Sequence, residues 1–530
     1  MTFSFRVDTG AWLPVTYVDG AARHVGFRSL FVDAHRIAGI DAGAPAGTAA
    51  LLRILTALTY RITGLDDPSV PVEDWHRRRA QVLAAGAFDP ARVGAYFDQW
   101  GHRFDLFDVP RPWRQEPRLA QECTSRAGLN TLLPERPSGN NATWFSPFHD
   151  GNPGDATISE AVAALLSVQF FGPLGRCSTR TLPGEKGKAD FTYLGPLRAR
   201  VSYHPVGPTL LHTLLAHLVP PVTMPFAQPP TVDLAEWETP NLPDPRGPKP
   251  SPKGIVSLLA NDSGHAVLLL PGTSDSGETV AVNAYLSWRF KDKTAGNLVG
   301  YDPYLSYRTD SKRGRIAQMA DAERHVWRDL PALLADEPGS GFASPAVMGS
   351  LAWLPTAVLR QVRMTAHGFD QHGFQPSNLD WYSAVTPPVF EAIAADPADP
   401  TARQFRTAIP AWVTAADQEA DVLRRATFWA LVNGRNLSRK DSQARAWQEA
   451  AAPRYWQAAH TVFDRALTDA ADGAAFAATV PDARAALRRT VIDIYDQVTS
   501  SVADARGISA VIKHRPRPWI SATETGEPRP

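Results

Sequence analysis

Cysteine is scarce in this sequence: its 530 residues include only two, Cys123 and Cys177. A single disulfide bond cannot organise a chain of this length, and two cysteines in unrelated segments cannot form a zinc cluster of the CxxC type. We therefore predict reduced, buried, structural thiols, with neither a metal site nor a cofactor.

Long apolar runs and net charge are also lacking. No segment approaches the roughly 18 uninterrupted apolar residues that cross a bilayer, and the N-terminus lacks the basic and apolar regions of a signal peptide. We expect a cytoplasmic protein without membrane contact. The 54 basic and 54 acidic side chains balance, which argues against a polyelectrolyte-binding surface over the whole molecule but allows a local basic groove.

The motifs of common enzyme classes are missing as well. Residues 184–188 are too short for a P-loop, residues 272–277 lack the spacing of a nucleophile elbow, and no HExxH occurs. His149 and Asp150 form a lone pair without the further ligands that a metal-dependent nuclease or hydrolase needs. The sequence predicts a protein without catalytic residues, and such a nuclease is the less favoured alternative.

The length and composition predict folded regions of different kinds. The chain is too long for one ordinary core, and its 44% apolar and 20% charged side chains are typical of a globular protein. The first region mixes a β-hairpin around the turn pair Asp19-Gly20 with helical periodicity at residues 47–65 and 157–171. It also has β-patterned runs at residues 266–270 and 279–290.

After Pro387-Pro388 the sequence becomes Ala-rich, with apolar side chains at three- and four-residue spacings. This pattern predicts helices packed into a bundle with short connections. The fold class that we predict is therefore α+β. Its parts are an irregular mixed N-terminal domain over residues 1–386, a C-terminal helical bundle of the four-helix type over residues 387–515, and a flexible tail over residues 516–530.

Positive charge is concentrated in two stretches. Residues 176–200 contain six basic and two acidic side chains, and residues 289–315 contain seven basic and three acidic ones. Both stretches are rich in glycine and aromatic residues, as expected where a backbone approaches phosphates. A solvated charged loop is the alternative interpretation of either stretch taken alone.

Several blocks occur in a characteristic order. Residues 12–15 (WLPV) precede Asp19-Gly20, residues 96–115 contain YFDQW, RFDLF and PWRQ, and residues 133–145 read LPERPSGNNATWF. Together they resemble the CasA family, the large subunit of the type I-E CRISPR Cascade surveillance complex. The third block is similar to the family's PxGNNATxF loop, whose small and amide residues can wrap a nucleotide or subunit. The resemblance implies nucleic-acid contacts from Asn140, Asn141 and Phe145.

Residues 171–176 (FGPLGR) resemble the glycine loop of that family, which lies against the minor groove of the protospacer-adjacent motif (PAM). The resemblance assigns DNA contacts to Gly172, Gly175 and Arg176. Leu174 stands where relatives commonly have glycine.

Residues 285–294 (YLSWRFKDKT) and 301–304 (YDPY) look like the family's segment with a lysine finger. Counting back from Asp302 without gaps places that lysine at Lys291, and Lys293 is the alternative. A lysine in the minor groove can donate to acceptors shared by several base pairs.

Residues 366–375 (AHGFDQHGFQ) resemble the family's hairpin with a glutamine wedge, which starts strand separation beside the PAM. Asp370-Gln371 matches the family's DQ pair, whereas the spacing to Trp381 favours Gln375. Both glutamines remain candidates for the wedge, and an exposed hairpin without a role in DNA binding is the other interpretation.

The resemblance spans roughly residues 12–500 and implies DNA recognition without covalent chemistry. It implies these partners: other Cascade protein subunits, the 5′ end of the CRISPR guide RNA, double-stranded target DNA and a helicase-nuclease. The family's bundle has four helices, and the fourth would fall at residues 504–514, before Pro516 and Pro518. A protein-only scaffold subunit, whose basic stretches serve solubility, is the alternative function.

Overall fold

The computed structural model separates into two compact units. It describes residues 3–133, 135–136, 147–149, 152–261, 263–292, 301–312, 314–321, 324–334, 342–370, 380–386, 400–470 and 473–519. The mixed unit comprises Met1–Ala322 and Pro338–Val385, and the helical unit comprises Glu323–Glu337 and Thr386–Pro530. The predicted boundary at residue 386 leaves Glu323–Glu337 in the N-terminal domain, because this segment lies before the Ala-rich helical pattern.

The mixed unit combines short strands with short and medium helices. Its strands are β1 (Leu13–Tyr17), β2 (Ala22–Val25), β3 (Ile37–Ile40), β4 (Ser202–Val206), β5 (His265–Thr273), β6 (Thr279–Trp288), β7 (Tyr307–Asp310), β8 (Gly314–Ala317), β9 (Phe342–Ala343), β10 (Arg363–Asp370) and β11 (Asp380–Val385). Its helices are α1 (Phe27–Val32), α2 (Pro45–Thr63), α3 (Val72–Ala84), α4 (Pro90–Trp100), α5 (Leu119–Glu122), α6 (Ile158–Phe171), α7 (Leu210–His217), α8 (Ile255–Asn261), α10 (Ala346–Leu351) and α11 (Thr356–Leu359).

The strands form small antiparallel sheets with the orders β2-β1-β3, β11-β10-β4, β5-β6 and β8-β7-β9. The predicted first hairpin is confirmed: Leu13 pairs with Val25, and Gly20 of the turn has a φ of +86°, a conformation that glycine adopts without strain. Small antiparallel sheets interleaved with helices make this unit an irregular α+β domain, as predicted.

Helix α2 is the centre of the mixed unit. It is buried on nearly every side and ends at Gly64, whose φ of +67° terminates the helix in the left-handed conformation. Its neighbours include α6, α7 and α8. Helix α6 begins at a capping box, in which the Thr157 side chain accepts from the backbone N–H of Glu160 and the Glu160 carboxylate accepts from the N–H of Thr157. This cap fixes the start of α6, and the loop at residues 171–176 begins where α6 ends.

The helical unit has the bundle character that the sequence predicts. Its helices are α9 (Leu330–Leu333), α12 (Pro400–Arg435), α13 (Ala446–Asp469), α14 (Gly473–Ala478), α15 (Val480–Thr499) and α16 (Ala505–His514). Aromatic contacts join them in the core: the rings of Trp327 and Phe463 stack at 4.7 Å, and Trp412 meets Phe463 edge-on at 5.9 Å. Helix α16 is short and lies where the fourth helix of the bundle is expected. The Tyr495 hydroxyl of α15 donates to the Val511 carbonyl of α16 at 2.8 Å.

Among the described residues, no helix combines the length and apolar character that a membrane span requires. Neither Cys123 nor Cys177 belongs to a disulfide bond, and each residue is half-buried rather than buried as predicted. Burial raises the pKa of Cys123 to about 11, which keeps this thiol protonated and unreactive at neutral pH.

Candidate nucleic-acid interface

The two glycines of the 171–176 loop have different structural roles. A Cβ atom on Gly172 would collide with the Val168 carbonyl and come within 2.6 Å of the His265 ring. Packing alone therefore requires a glycine at position 172. Its assignment as a DNA contact stays a prediction. A Cβ atom on Gly175 would meet nothing within 4 Å, so the Cα of Gly175 borders open space. Its N–H donates to the Thr192 hydroxyl at 3.2 Å, and its carbonyl accepts from the Thr192 N–H at 2.9 Å.

His265 holds the glycine loop from inside. Its Nε2 lies 3.1 Å from the Pro173 carbonyl. Burial lowers the pKa of His265 to about 4, so the ring is neutral at pH 7 and can donate this single bond through Nε2–H. The loop is thus fixed on its buried side while Gly175 stays accessible.

A hairpin over residues 176–191 follows the loop directly. Backbone pairing joins Arg176 with Phe191 and Arg180 with Lys188. The turn is specified locally: Pro183 and Gly184 occupy its two central positions, and Gly184 has a φ of +79°. The chain closes when the N–H of Glu185 donates to the Leu182 carbonyl at 3.0 Å, the pattern of a type II turn.

Arg180 anchors this hairpin to the core. Its side chain is fully buried, with Nε 2.6 Å from Glu122 and an ion pair to Glu116 at 3.4 Å. Its Nη1 donates to the Trp288 carbonyl at 3.0 Å, and its guanidinium lies 5.1 Å from the centre of the Trp288 ring. Arg180 is a structural cation, not a surface charge.

Two further cations of the basic stretches are also buried. Arg198 donates to the Phe171 carbonyl at 2.8 Å, and Arg289 pairs with Glu236. The sequence-based charge count therefore overstates the surface charge, because the carboxylates and carbonyls that hold these arginines lie far away along the chain. Among the described residues of the two stretches, these basic side chains are exposed: Arg176, Lys186, Lys188, Arg200, Lys291, Arg308, Lys312 and Arg315.

Lys291 lies beside the turn of the 176–191 hairpin. Its Nζ is 2.5 Å from the Glu185 carboxylate, and the N–H of Lys291 donates to the Pro245 carbonyl at 2.8 Å. The two basic stretches thus meet, with Gly175 at the base of the hairpin and Lys291 at its turn. One arm of about six residues separates them, roughly 20 Å if extended. We call the hairpin with Gly175 and Lys291 the basic edge.

Several site residues assigned by resemblance lie outside the described residues. These are Asn140, Asn141, Phe145, Lys293, Gln371 and Gln375. Strands β10 and β11, which flank the two glutamines in sequence, pair antiparallel from Asp370 with Asp380 onward. The assignments of these six residues stay predictions.

The His–Asp pair of the nuclease alternative is only partly described. His149 is exposed and exchanges backbone hydrogen bonds with Asn152 at 3.1 and 2.9 Å, whereas Asp150 lies outside the described residues. Within the described part of the chain, no group of three or more His, Cys, Asp or Glu side chains could hold a metal ion.

Sequence reasoning missed a basic pocket on the helical unit. All six basic side chains in residues 424–445 are exposed, and Asp441 is the single acidic residue among them. This charge density exceeds that of the stretches at residues 176–200 and 289–315, and it lies within a region whose sequence pattern is helical. A cavity of about 490 Å³ opens here, and we call it the helical-unit basic pocket. It is lined by Arg424, Arg425, Phe428, Trp429, Arg445 and Gln448.

Guanidinium groups and aromatic rings lie side by side at this pocket. The Arg439 guanidinium lies 4.6 Å from the centre of the Trp429 ring, and Phe428 meets Trp429 edge-on at 5.3 Å. Arg425 donates to the Asp421 carbonyl, at 3.2 Å, and its guanidinium stays exposed at the rim. Such a surface can bind phosphates through arginine and stack bases on its rings.

The chain is similar in structure to a chain of a solved CRISPR complex. A chain from a structure of a CRISPR RNA-guided surveillance complex is 32% identical to this one. The two superpose with a TM-score of 0.81 over 97% of this chain and 99% of that chain. The family model described as CRISPR-associated protein Cse1 matches residues 9–494. The chain belongs to this Cse1, or CasA, family, and the resemblance seen in the sequence is confirmed.

The chain is also similar to Cse1 proteins of Thermus thermophilus and Thermobifida fusca. The CasA/Cse1 protein of Thermus thermophilus is 29% identical over 344 residues, and the alignment spans 63% of this chain but only 61% of that relative. Cse1 of Thermobifida fusca superposes with a TM-score of 0.75 over 97% of both chains at 19% identity, a likeness that shows the fold alone.

Proposed function

We propose that this chain is the DNA-recognising large subunit of a type I-E CRISPR surveillance complex and performs no covalent chemistry. Its partners in this proposal are the other protein subunits, the 5′ end of the guide RNA, double-stranded target DNA and a helicase-nuclease. Family membership supports the assembly, as does the 32% identity to a chain of a CRISPR RNA-guided surveillance complex. The observation that carries the DNA contact is the basic edge.

The basic edge suits duplex DNA because it combines exposed lysines with a glycine whose Cα borders open space. Gly175 presents backbone without a side chain in the way, and Lys186, Lys188 and Lys291 are exposed along the same hairpin and strand end. Lysine amines can donate to phosphates and to minor-groove acceptors shared by several base pairs, and the missing side chain of Gly175 allows the groove to come close. With up to roughly 20 Å between Gly175 and Lys291, the contacts span about six base pairs at 3.4 Å per pair.

Strand opening follows recognition in this proposal. A glutamine wedge, Gln371 or Gln375, unstacks the pair beside the PAM, at a cost of a few kcal/mol per step. One lysine contact and the groove-lining backbone offset this cost only in part, so pairing with the guide RNA supplies the remainder. The isolated chain should therefore bind duplex DNA weakly and in a salt-sensitive manner.

The helical-unit basic pocket is assigned to the displaced single strand. Exposed arginines and two aromatic rings around one cavity fit a backbone phosphate with a stacked base. Duplex DNA offers no base faces to stack, so the pocket is better matched to an opened strand.

Binding of a labelled PAM duplex by the assembled complex tests the DNA contact. The duplex should lack a match to the guide RNA, so that binding reports recognition alone. Lys291→Ala should weaken binding, whereas Lys253→Ala, at an exposed lysine outside both basic stretches, is the matched control. Charge reversal at Lys291, Arg313 and Arg315 without any loss of DNA association would favour the protein-only scaffold instead.

A further inference from the structure

Glu185 holds Lys291 in a defined ion pair. One carboxylate oxygen of Glu185 lies 2.5 Å from the Lys291 amine, and the other lies 3.1 Å from Nε of Arg246. Each oxygen of this carboxylate is therefore occupied by a different cation. The Lys291 and Glu185 side chains are 40% and 29% exposed, so water and other acceptors can reach the pair.

The pair depends on the fold around it as well as on two flexible side chains. The type II turn fixes Glu185, and the buried Arg180 ties that hairpin to Trp288, three residues before Lys291. Arg246 reinforces the turn because its Nη2 donates to the Pro183 carbonyl at 2.7 Å. Local structure on both sides therefore places the carboxylate within reach of the lysine.

We propose that Glu185 is an internal competitor that occupies Lys291 and Arg246 until DNA displaces it. This inference rests on the proposed function of Lys291. Glu185 takes one of the three donor hydrogens of the Lys291 amine and neutralises its charge, so a phosphate or base acceptor gains the full charge of Lys291 only when it displaces Glu185. The carboxylate also repels approaching phosphates. Consistent with the pairing, the Lys291 hydrogen bond lowers the pKa of Glu185 below its ordinary value.

Glu185→Gln tests the proposal because it removes the charge and keeps the shape of the side chain. The assembled RNA–protein complex is titrated by fluorescence anisotropy with two labelled duplexes without a guide match, one with a PAM that supports target binding and one with that PAM scrambled. Affinity for both should rise by the same factor, on the order of two- to fivefold, as expected for the loss of an exposed ion pair. The melting temperature should not change.

Two further variants make the result specific. Glu278→Gln removes an exposed carboxylate in the β5–β6 turn and should leave affinity unchanged. The gain from Glu185→Gln should vanish when Lys291→Ala is combined with Arg246→Ala. An unchanged or lower affinity of Glu185→Gln, or a gain that persists without both cations, would overturn the competitor role.

The outcomes for Lys291→Ala separate this inference from the function that it rests on. If Lys291→Ala weakens DNA binding and Glu185→Gln has no effect, the lysine contact stands and the competitor role fails. If Lys291→Ala leaves DNA binding unchanged, the lysine contact itself fails, and the competitor role fails with it.

Discussion

Arg53 and Asp302 form a buried ion pair in the core of the mixed unit. Nη1 of Arg53 lies 2.7 Å from Oδ2 of Asp302, and the two side chains are 0% and 9% exposed. Nη2 of Arg53 also donates to the Leu258 carbonyl at 3.3 Å, so α2 and α8 share one anchor with the chain segment around Asp302. Residues 301–304, which resemble a family signature, are thus held to the centre of the fold.

Asp302→Ala should destabilise the mixed unit by about 3 kcal/mol or more, because it leaves the Arg53 charge buried without a counter-ion. Denaturant unfolding followed by tryptophan fluorescence measures the change. Asp275→Ala, in the exposed β5–β6 turn, is the control and should cost less than about 0.5 kcal/mol. An equal, small effect of the two variants would show that the pair contributes little.

Three buried histidines should make the mixed unit sensitive to acid. Nδ1 of His204 lies 3.2 Å from Nε2 of His217, and the His204 and His367 rings are 5.9 Å apart. Burial lowers the pKa values of His217 and His367 to about 4. Burial and the neighbouring charges, including Arg53, lower the pKa of His204 well below its ordinary value.

The lowered histidine pKa values make the folded mixed unit less stable at acidic pH. Between about pH 6.5 and pH 4 the unfolded chain binds protons that the folded chain does not, so stability is present above pH 6.5 and is lost as the pH falls towards 4. Each histidine contributes about 1.4 kcal/mol per pH unit. Urea unfolding at pH 7, 6 and 5 should show a shallower pH dependence for His367→Gln than for the parent or for a variant of the exposed His24. Parallel slopes would contradict this account.

Gly172→Ala and Gly175→Ala should separate packing from DNA contact. The methyl group at Gly172 collides with the Val168 carbonyl, so this variant should lose about 1–3 kcal/mol of stability. The methyl group at Gly175 meets open space, so stability should stay within about 0.5 kcal/mol. Gly175→Ala should instead weaken PAM-duplex binding by about fivefold, or about 1 kcal/mol. Unchanged binding by a stable Gly175→Ala variant would remove Gly175 from the interface.

Arg425→Ala combined with Arg445→Ala should weaken single-strand binding through lost phosphate contacts. The slope of log affinity against log salt should fall by about 0.7 for each arginine that contacts a phosphate. Electrophoretic mobility shifts of the complex with single-stranded DNA at several salt concentrations measure it. Arg403→Ala, an exposed arginine at the other end of α12, should leave the slope unchanged. A slope that does not respond to the double variant would exclude the pocket.

Local sequence signals predicted the first hairpin, α2, α6, β5 and β6, because the interactions that define these elements are local. Asp19-Gly20 forms the turn of the first hairpin. Thr157 and Glu160, three residues apart in sequence, form the cap of α6. The turn at Pro183-Gly184 has the same local character. Such features need no knowledge of distant neighbours.

Local sequence could not predict which charged side chains are buried and which are exposed. Arg180 is buried because Glu122 and Trp288 converge on it from distant segments, and a charge count along the chain cannot distinguish it from the exposed Lys188. The packing of Gly172 against His265, which only the fold brings near, could not be predicted either. The pairing of Lys291 with Glu185 joins the two basic stretches that sequence analysis treated separately.

Strand opening by the assembled complex tests the central claim most directly. Target duplexes with matched guide sequence and varied PAMs would carry a fluorescent base beside the PAM, and the complex would be assembled with this chain, without it, or with Lys291→Ala. We predict PAM-dependent opening only when the chain is present, and weaker opening by Lys291→Ala. Equal opening with and without the chain would contradict the recognition role and leave the scaffold function in its place.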